Sequence, residues 1–532
     1  MSLFVKKPLG QLLAQASDSH GLKRTLGPGN LVALGVGAII GAGLFVRTAA
    51  ASAEAAGPAV TISFVVAAIG CVFAGLCYAE FAAMIPIAGS AYTYAYATLG
   101  ELIAWIIGWA LIMEYALGAT TVSISWSEYL NKLLADFGYQ IPYKWCHSPF
   151  EHINTVVGSS VASFPADLAK TAKEGVLMLS DRQLTGLTPQ LHSLVTTYHG
   201  LVNIPALFIL LILSLLLIKG TAESALVNSI IVVIKVSIVL VFIALGWHFI
   251  NPANHTPYVI PEGTPGHEGF FKHGIPGILG GASIVFFAFI GFDAVSTAAQ
   301  EAKNPKKDMP KGILGSLIVC TILYILFSYV LTGVANWREF ELQGKEASVA
   351  YAIRTYMTGY HWLSTLVTIA ILMGFSSVIL VMLLGQSRVF YTMSTDGLLP
   401  KVFSDLHPKF RTPYKSNLIL FVFAGLFAAF IPESVAGDLT SFGTLFAFVL
   451  VSAGVWVMRR SNPEVERPFK TPLVPLVPIL GILVCAGMII ALDVNTLEAA
   501  FSWMILGLVV YFAYSKKNSK LRVQNGKLQE AA

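Results

Sequence analysis

Charge is what this chain most conspicuously lacks. Of its 532 residues only 12% are Asp, Glu, Lys or Arg, while 55% are hydrophobic, which excludes both a soluble globular domain and a disordered chain. Cysteine is scarce: four of the five (Cys71, Cys77, Cys320, Cys485) sit in apolar stretches and Cys146 in a connection, so neither a disulfide framework nor a zinc site is implied. The 11 histidines lie mostly in connections without metal or catalytic spacing, which argues against a membrane-embedded enzyme. No repeated filter motif or ring of like charge argues for a channel. The first 29 residues hold no apolar core of a cleavable signal, so the first apolar stretch is expected to act as its own insertion signal. No cofactor is implied. The +5 formal charge does not point to nucleic acid, because the basic residues fall between apolar stretches rather than on one face.

What the chain has is apolar length. Runs of about 20 apolar residues recur throughout, and twelve spans are predicted near 30–52, 58–84, 100–130, 200–218, 224–249, 276–299, 312–335, 362–391, 416–431, 438–458, 473–492 and 498–515. An all-α polytopic protein of the lipid bilayer is expected. An even count puts both termini on one side. Taking that side as cytoplasm places 23 of the 34 Lys and Arg residues there and 9 outside, 5 of the 9 in one long connection where the charge rule is weak. Arg47 and Lys235 fall within spans. The expected layout is a cytoplasmic segment at 1–29, a first half at 30–250, a second half at 276–458, two further spans at 473–515 and a cytoplasmic tail at 516–532. The 131–199 connection is then extracytoplasmic, with room for short helices over an outer vestibule, or else a tolerated insertion. The basic stretches 304–311, 401–415 and 459–470 read as positive-inside anchors.

Glycines at 35, 37, 41 and 43 interrupt the first span. If the backbone unwinds near Gly41-Ala42-Gly43, polar groups are left unpaired at membrane depth, which costs several kcal/mol unless a polar ligand, water or protein satisfies them. Close helix packing explains such glycines equally well. The sixth span, 280–302, carries a second interruption, with Gly291, Asp293, Ser296 and Thr297. Five spans separate the two, so the second half enters from the opposite side, and two broken helices in corresponding positions indicate an inverted repeat around a midplane site. This pairing favours binding over packing. The N–H groups of Gly41, Ala42 and Gly43 would open a half-helix and attract an anion, while the carbonyls of Ala38, Ile39, Phe286, Phe287 and Ala288 would close two others and attract a cation. Anion and cation sites this close describe an α-amino acid substrate.

The stretches GVGAIIGAGLF, YAEFAAMIPIAGSAYTYAY, FFAFIGFDAV, EAKNPKKDMP and GQSRVFYTMSTDGLLP resemble the amino acid–polyamine–organocation superfamily, most closely its cationic amino acid transporter branch, over roughly residues 22–515. The resemblance implies a leucine-transporter-like fold of five plus five inverted helices with two extra spans, set in the plasma (inner) membrane. It also implies substrate contacts at Ile39, Gly41, Ala42 and Gly43 and at Phe287, Ala288 and Ile290, with Phe287 closing over the ligand. Ala42 stands where many members have Ser or Thr, which removes a hydroxyl from the carboxylate site.

Charges inside spans mark function by default. Lys235 lies about 15 Å into the fifth span, near the midplane. By resemblance it replaces a sodium ion held between the first and eighth helices, with Ser376 and Ser377 matching the hydroxyl pair that would otherwise ligate sodium. Proton rather than sodium coupling follows; a structural lysine paired with a carbonyl is the alternative. Glu114 either lines the pocket or buttresses span eight. Asp293 is expected to cap the inner half of span six, and Arg47 to guard the outer vestibule. Phe375 is expected to put an apolar ring in the pocket wall at 374–377. The predicted function is secondary active transport of α-amino acids, as proton-coupled symport of small neutral ones. Transport of cationic amino acids, or exchange, is the alternative.

Overall fold

The computed structural model describes residues 3–8, 10, 12, 26–41, 43–87, 90–165, 176–179, 184, 187–219, 222–299, 302–342, 348–410 and 412–524. Helix α1 (Pro28–Ile39) begins with proline in its first turn, where the missing N–H costs nothing. It stops at Ile40, whose backbone turns extended (φ −73°, ψ 106°). Helix resumes as α2 (43–56), which opens with a wide π-type turn at Gly43–Arg47 and closes with another at Ser52–Ala56. Helix α3 (Val60–Met84) and the short α4 (Ser90–Thr98) follow. A wide turn at Met113–Leu117 joins the two parts of α5 (101–136).

Next come α6 (Ile204–Lys219) and α7 (Ala222–Gly246). Helix α8 (Gly274–Val285) tightens into a 3-10 turn at Phe286–Phe289, and the chain passes Gly291 at φ +108° before the short α9 (Ala294–Thr297). The long helices that follow are α10 (Pro305–Val334), α11 (His361–Thr395), α12 (Tyr414–Phe430), α13 (Glu433–Ser461), α14 (Leu476–Ile490) and α15 (Val494–Val510), with two short helices, Trp337–Leu342 and Ser348–Tyr356, between α10 and α11. Each of the twelve expected apolar segments is occupied by helix. Among the described residues, eight helical runs are long and apolar enough to cross a membrane, accompanied by four shorter apolar helices, α1, α6, α12 and α14. The chain is a mostly helical, polytopic membrane protein.

Helix α10 packs along α3 and α1, and α11 along α5. Apolar residues such as Val233 on α7 and Ile505 on α15 face outward, as a lipid-facing surface requires.

Two expectations need correction. The fold is not all-α: the 131–199 connection forms an antiparallel sheet of β1 (His152–Val157), β2 (Val176–Leu179) and β3 (Thr196–His199) in the order β2-β1-β3, with its own core of Val156, Phe164, Leu177 and Leu179. The 459–470 stretch is also more than an anchor. The buried Glu80 of α3 accepts from Arg459 Nε and Nη2, both at 2.8 Å, and from the Thr471 N–H at 2.8 Å, with Arg467 Nε at 3.3 Å.

Candidate functional site

The two helix breaks lie against each other in the middle of the bundle. A methyl group built on Gly43 would stand 2.2 Å from Ala288 Cα, and one built on Gly291 would stand 3.0 Å from the Ala38 carbonyl oxygen. Each break therefore carries a glycine that lets the other approach, and Gly291 needs glycine for its backbone conformation as well. Gly41 faces α11, where Val378 Cγ2 would meet an added methyl at 2.9 Å. Among the described residues, no backbone acceptor serves the N–H groups of Gly41 and Gly43. Ala42 lies outside the described residues. Ile39, Phe287, Ala288 and Ile290 are all buried around the same junction.

Carbonyls at the breaks meet donors from two other helices, α7 and α10. Lys235 of α7 is buried and donates its ammonium to the Gly37 carbonyl and, at 2.8 Å, to the Ile40 carbonyl. Helix α11 closes over its stem at Gly374, whose added methyl would stand 3.3 Å from Lys235 Cδ. The Tyr324 hydroxyl of α10 lies 3.0 Å from the Ile39 carbonyl and 2.8 Å from that of Ala288, so one hydroxyl ties both breaks together. Sequence reasoning missed it, because a tyrosine in an apolar run reads as packing.

The expected partners on α11 are divided. Ser377 is buried near the Gly374 side, whereas Ser376 lies on the other side of the helix, half-buried, and returns its hydroxyl to the Leu372 carbonyl at 2.9 Å. Phe375 is buried and packs on Phe45 (6.3 Å between centroids) and Tyr129 (5.6 Å), so its ring meets α2 and α5.

Glu114 sits in the wide turn of α5, which packs against α13 at Gly443. Its carboxylate is fully buried and, among the described residues, neither oxygen has a hydrogen-bond partner. Asp293 is its electrostatic neighbour. Asp293 takes the expected N-cap position before α9, but its side chain makes no capping hydrogen bond there, and Oδ2 instead accepts from the Tyr115 hydroxyl. Tyr115, adjacent to Glu114, is the second residue that the sequence did not reveal, since its partner is 178 positions away.

On the side where α2 meets α13, Arg47 donates to Asp438 and, at 3.5 Å, to Glu433. These residues border a cleft of about 960 Å³ that Glu54, Glu151 and Asp493 also line. Among the described residues, no group of three or more His, Cys, Asp or Glu side chains could hold a metal ion. The geometry offers backbone N–H groups, carbonyls, one fixed ammonium and a buried carboxylate pair. These groups can bind and orient a small charged solute; they do not form a nucleophile–base pair.

Comparison with known proteins agrees. The family described as Amino acid permease matches residues 26–514. The branched-chain amino acid permease BcaP of Bacillus subtilis (strain 168) is 41% identical, covering 98% of this chain and 99% of its own. The methylthioribose transporter of the same organism is 36% identical with the same coverage. The vacuolar cationic amino acid transporter 4 of Arabidopsis thaliana is 32% identical over 85% of this chain and 66% of its own. A transporter built on two apposed helix breaks, not an enzyme, is what these observations have in common, and the chain belongs to the amino acid permease family.

Proposed function

We propose that this permease carries neutral α-amino acids with protons, without sodium, through twelve spans arranged as two inverted halves at 30–250 and 276–458. The observation that carries this reading is Lys235: its ammonium holds the Gly37 and Ile40 carbonyls in the place a coupling cation would occupy. The substrate carboxylate is assigned to the N–H groups at Gly41–Gly43, and its ammonium to the carbonyls at Ile39 and Phe287–Ala288. Phe287 and Ile290 would line the site, and Phe375 would bound it from behind. Loss of the Lys235 proton would release the carbonyls of α1 from α7 and let the break rearrange; the Cys320 thiol is its titratable neighbour among the described residues. Glu114 and Asp293 form a second charge site beside the broken sixth span. Both termini are placed in the cytoplasm of a cell bounded by this membrane.

Similarity to the branched-chain amino acid permease BcaP supports a neutral substrate. A cationic substrate is the second reading, favoured by the five carboxylates of the outer cleft (Glu54, Glu151, Glu433, Asp438, Asp493) and by the cationic amino acid transporter relatives. Uptake of labelled leucine and alanine into proteoliposomes decides between them. Uptake should rise as external pH falls, ignore sodium, and be displaced by neutral amino acids but not by arginine or lysine. Lys235→Met should lose both the rate and the pH response. Sodium stimulation, or an unchanged pH profile in Lys235→Met, would overturn the coupling assignment.

A further inference from the structure

Both ends of the described chain dock on one end of the bundle. Glu101, buried at the first position of α5, accepts from Arg522 Nε and Ser519 Oγ of the C-terminal segment and from the Tyr511 and Tyr96 hydroxyls, the last two at 3.0 Å. Its backbone N–H donates to the Val5 carbonyl at 2.9 Å, and Arg522 Nη2 reaches the Leu3 carbonyl at 3.3 Å. The same segment fastens the end of α11: Ser515 Oγ donates to the Leu398 carbonyl at 2.8 Å and the Lys520 N–H to the Asp396 carbonyl at 3.1 Å. Gly397 comes so close to the Asn518 carbonyl that an added methyl would overlap it. Residues 515–522 therefore tie together the start of α5, the end of α11 and the N-terminal segment that leads into α1.

The tail and the helix before it are held differently. Helix α15 is anchored by indoles of α5: Trp105 Nε1 donates to the Gly507 carbonyl at 2.8 Å, Trp109 Nε1 donates to the Trp503 carbonyl at 2.9 Å, and the Trp109 and Trp503 rings stack at 4.9 Å. Between this anchor and the tail lie the wide turn Tyr511–Ser515 and a non-helical residue, Ser519 (φ −58°, ψ 117°). Beyond that hinge the fastening is largely hydrogen bonds to one carboxylate and three carbonyls, which water can replace once the segment swings away. Helix α12 leads from the end of α11 to the other end of the bundle, where α2 meets α13 and the cleft of about 960 Å³ stands open. A permease opens its two ends in turn, so the fastened end has to come apart. We propose that residues 516–524 form a releasable clasp that keeps this end shut, and that their departure from Glu101 about the 511–519 hinge is a step in opening it. The clasp restrains the rate of opening and takes no part in the substrate site.

Hydrogen exchange of the purified full chain, read by mass spectrometry, follows the tail without any substrate. Arg522→Gln removes the charged donor to Glu101 and should speed exchange at 519–523 on the order of tenfold. Exchange at 3–8 and at 396–398 should quicken with it, while 500–510 of α15 keeps its wild-type rate. Arg522→Lys, which keeps a cation, should restore most of the protection. If Arg522→Gln does not fold, Ser519→Ala, which removes one neutral donor, should give the same pattern at smaller amplitude. In proteoliposomes the weakened variant should carry labelled leucine faster than the unmodified chain. No leucine transport by the unmodified chain would count against the proposed substrate alone, and the exchange pattern would still decide on the clasp. Quickened exchange at 500–510 together with the tail would mean that α15 loosens as a whole. A faster tail with unchanged exchange at 3–8 and 396–398 would mean a bolt with no part in opening. Either result, or wild-type protection of 519–523 in the variants, would overturn the assignment.

Discussion

Gly41 and Gly43 are two residues apart and do different work. An alanine at 43 would drive its methyl into the Ala288 backbone at 2.2 Å, and backbone cannot step aside as a side chain can. At 41 the obstacle is Val378 Cγ2 at 2.9 Å, a side-chain atom. Overpacking a tight site costs about 1–3 kcal/mol, so Gly43→Ala should show the upper end of that range in chemical unfolding together with loss of uptake, and Gly41→Ala the lower end with uptake partly retained. Equal effects at both positions would contradict the arrangement of the breaks. Outside the bundle, Cys146 makes a second residue-scale prediction. Burial first, and the Glu151 charge second, push its thiol up to about 11. A raised value means that thiolate forms only near and above that pH. Maleimide should therefore label native Cys146 slowly at pH 8 and quickly once the chain is unfolded.

At the scale of elements, Tyr324 joins α10 to both breaks. Tyr324→Phe keeps the ring and removes the donor shared by the Ile39 and Ala288 carbonyls. A buried acceptor left without its partner costs about 1–3 kcal/mol, so the variant should unfold at lower denaturant concentration and transport more slowly. Wild-type stability and rate would show that the hydroxyl does not join the two elements functionally. The same residue marks the limit of what the sequence conveys. The break at Ile40 was legible because four glycines fall within nine positions of an apolar run, and Lys235 because a charge in such a run has few reasons to be there. Tyr324 was not, since a hydroxyl on an apolar face leaves no periodic trace, and neither was the Tyr115–Asp293 contact, which depends on tertiary fold alone. The strands at 176–179 and 196–199 were missed because four-residue runs of VLML and TTYH type carry too little alternation to separate strand from loop.

For the whole molecule, ion pairs hold the ends of the bundle. Arg47 joins α2 to α13 through Asp438 and Glu433. Where α11 ends, Lys7 of the N-terminal segment pairs with Asp396 at 2.8 Å, and Glu101 gathers Arg522, Ser519, Tyr511 and Tyr96, with Arg522 Nη2 reaching the Leu3 carbonyl at 3.3 Å. A carrier that alternates access must break one set while keeping the other, and on the reading proposed here substrate bound between the breaks would supply the differential free energy. The central claim is the proposal that the substrate is held by both its α-carboxylate and its α-ammonium, and a test on the unmodified protein reaches it most directly. Thermal unfolding of the purified permease is followed against leucine, leucinamide, which lacks the carboxylate, and 4-methylpentanoate, which lacks the ammonium. A ligand that binds only the folded state adds about 2.7 kcal/mol of stability at a hundred times its dissociation constant. Leucine should raise the melting temperature with concentration and the two truncated analogues should leave it unmoved. Equal stabilisation by either analogue would contradict a site that needs both charges.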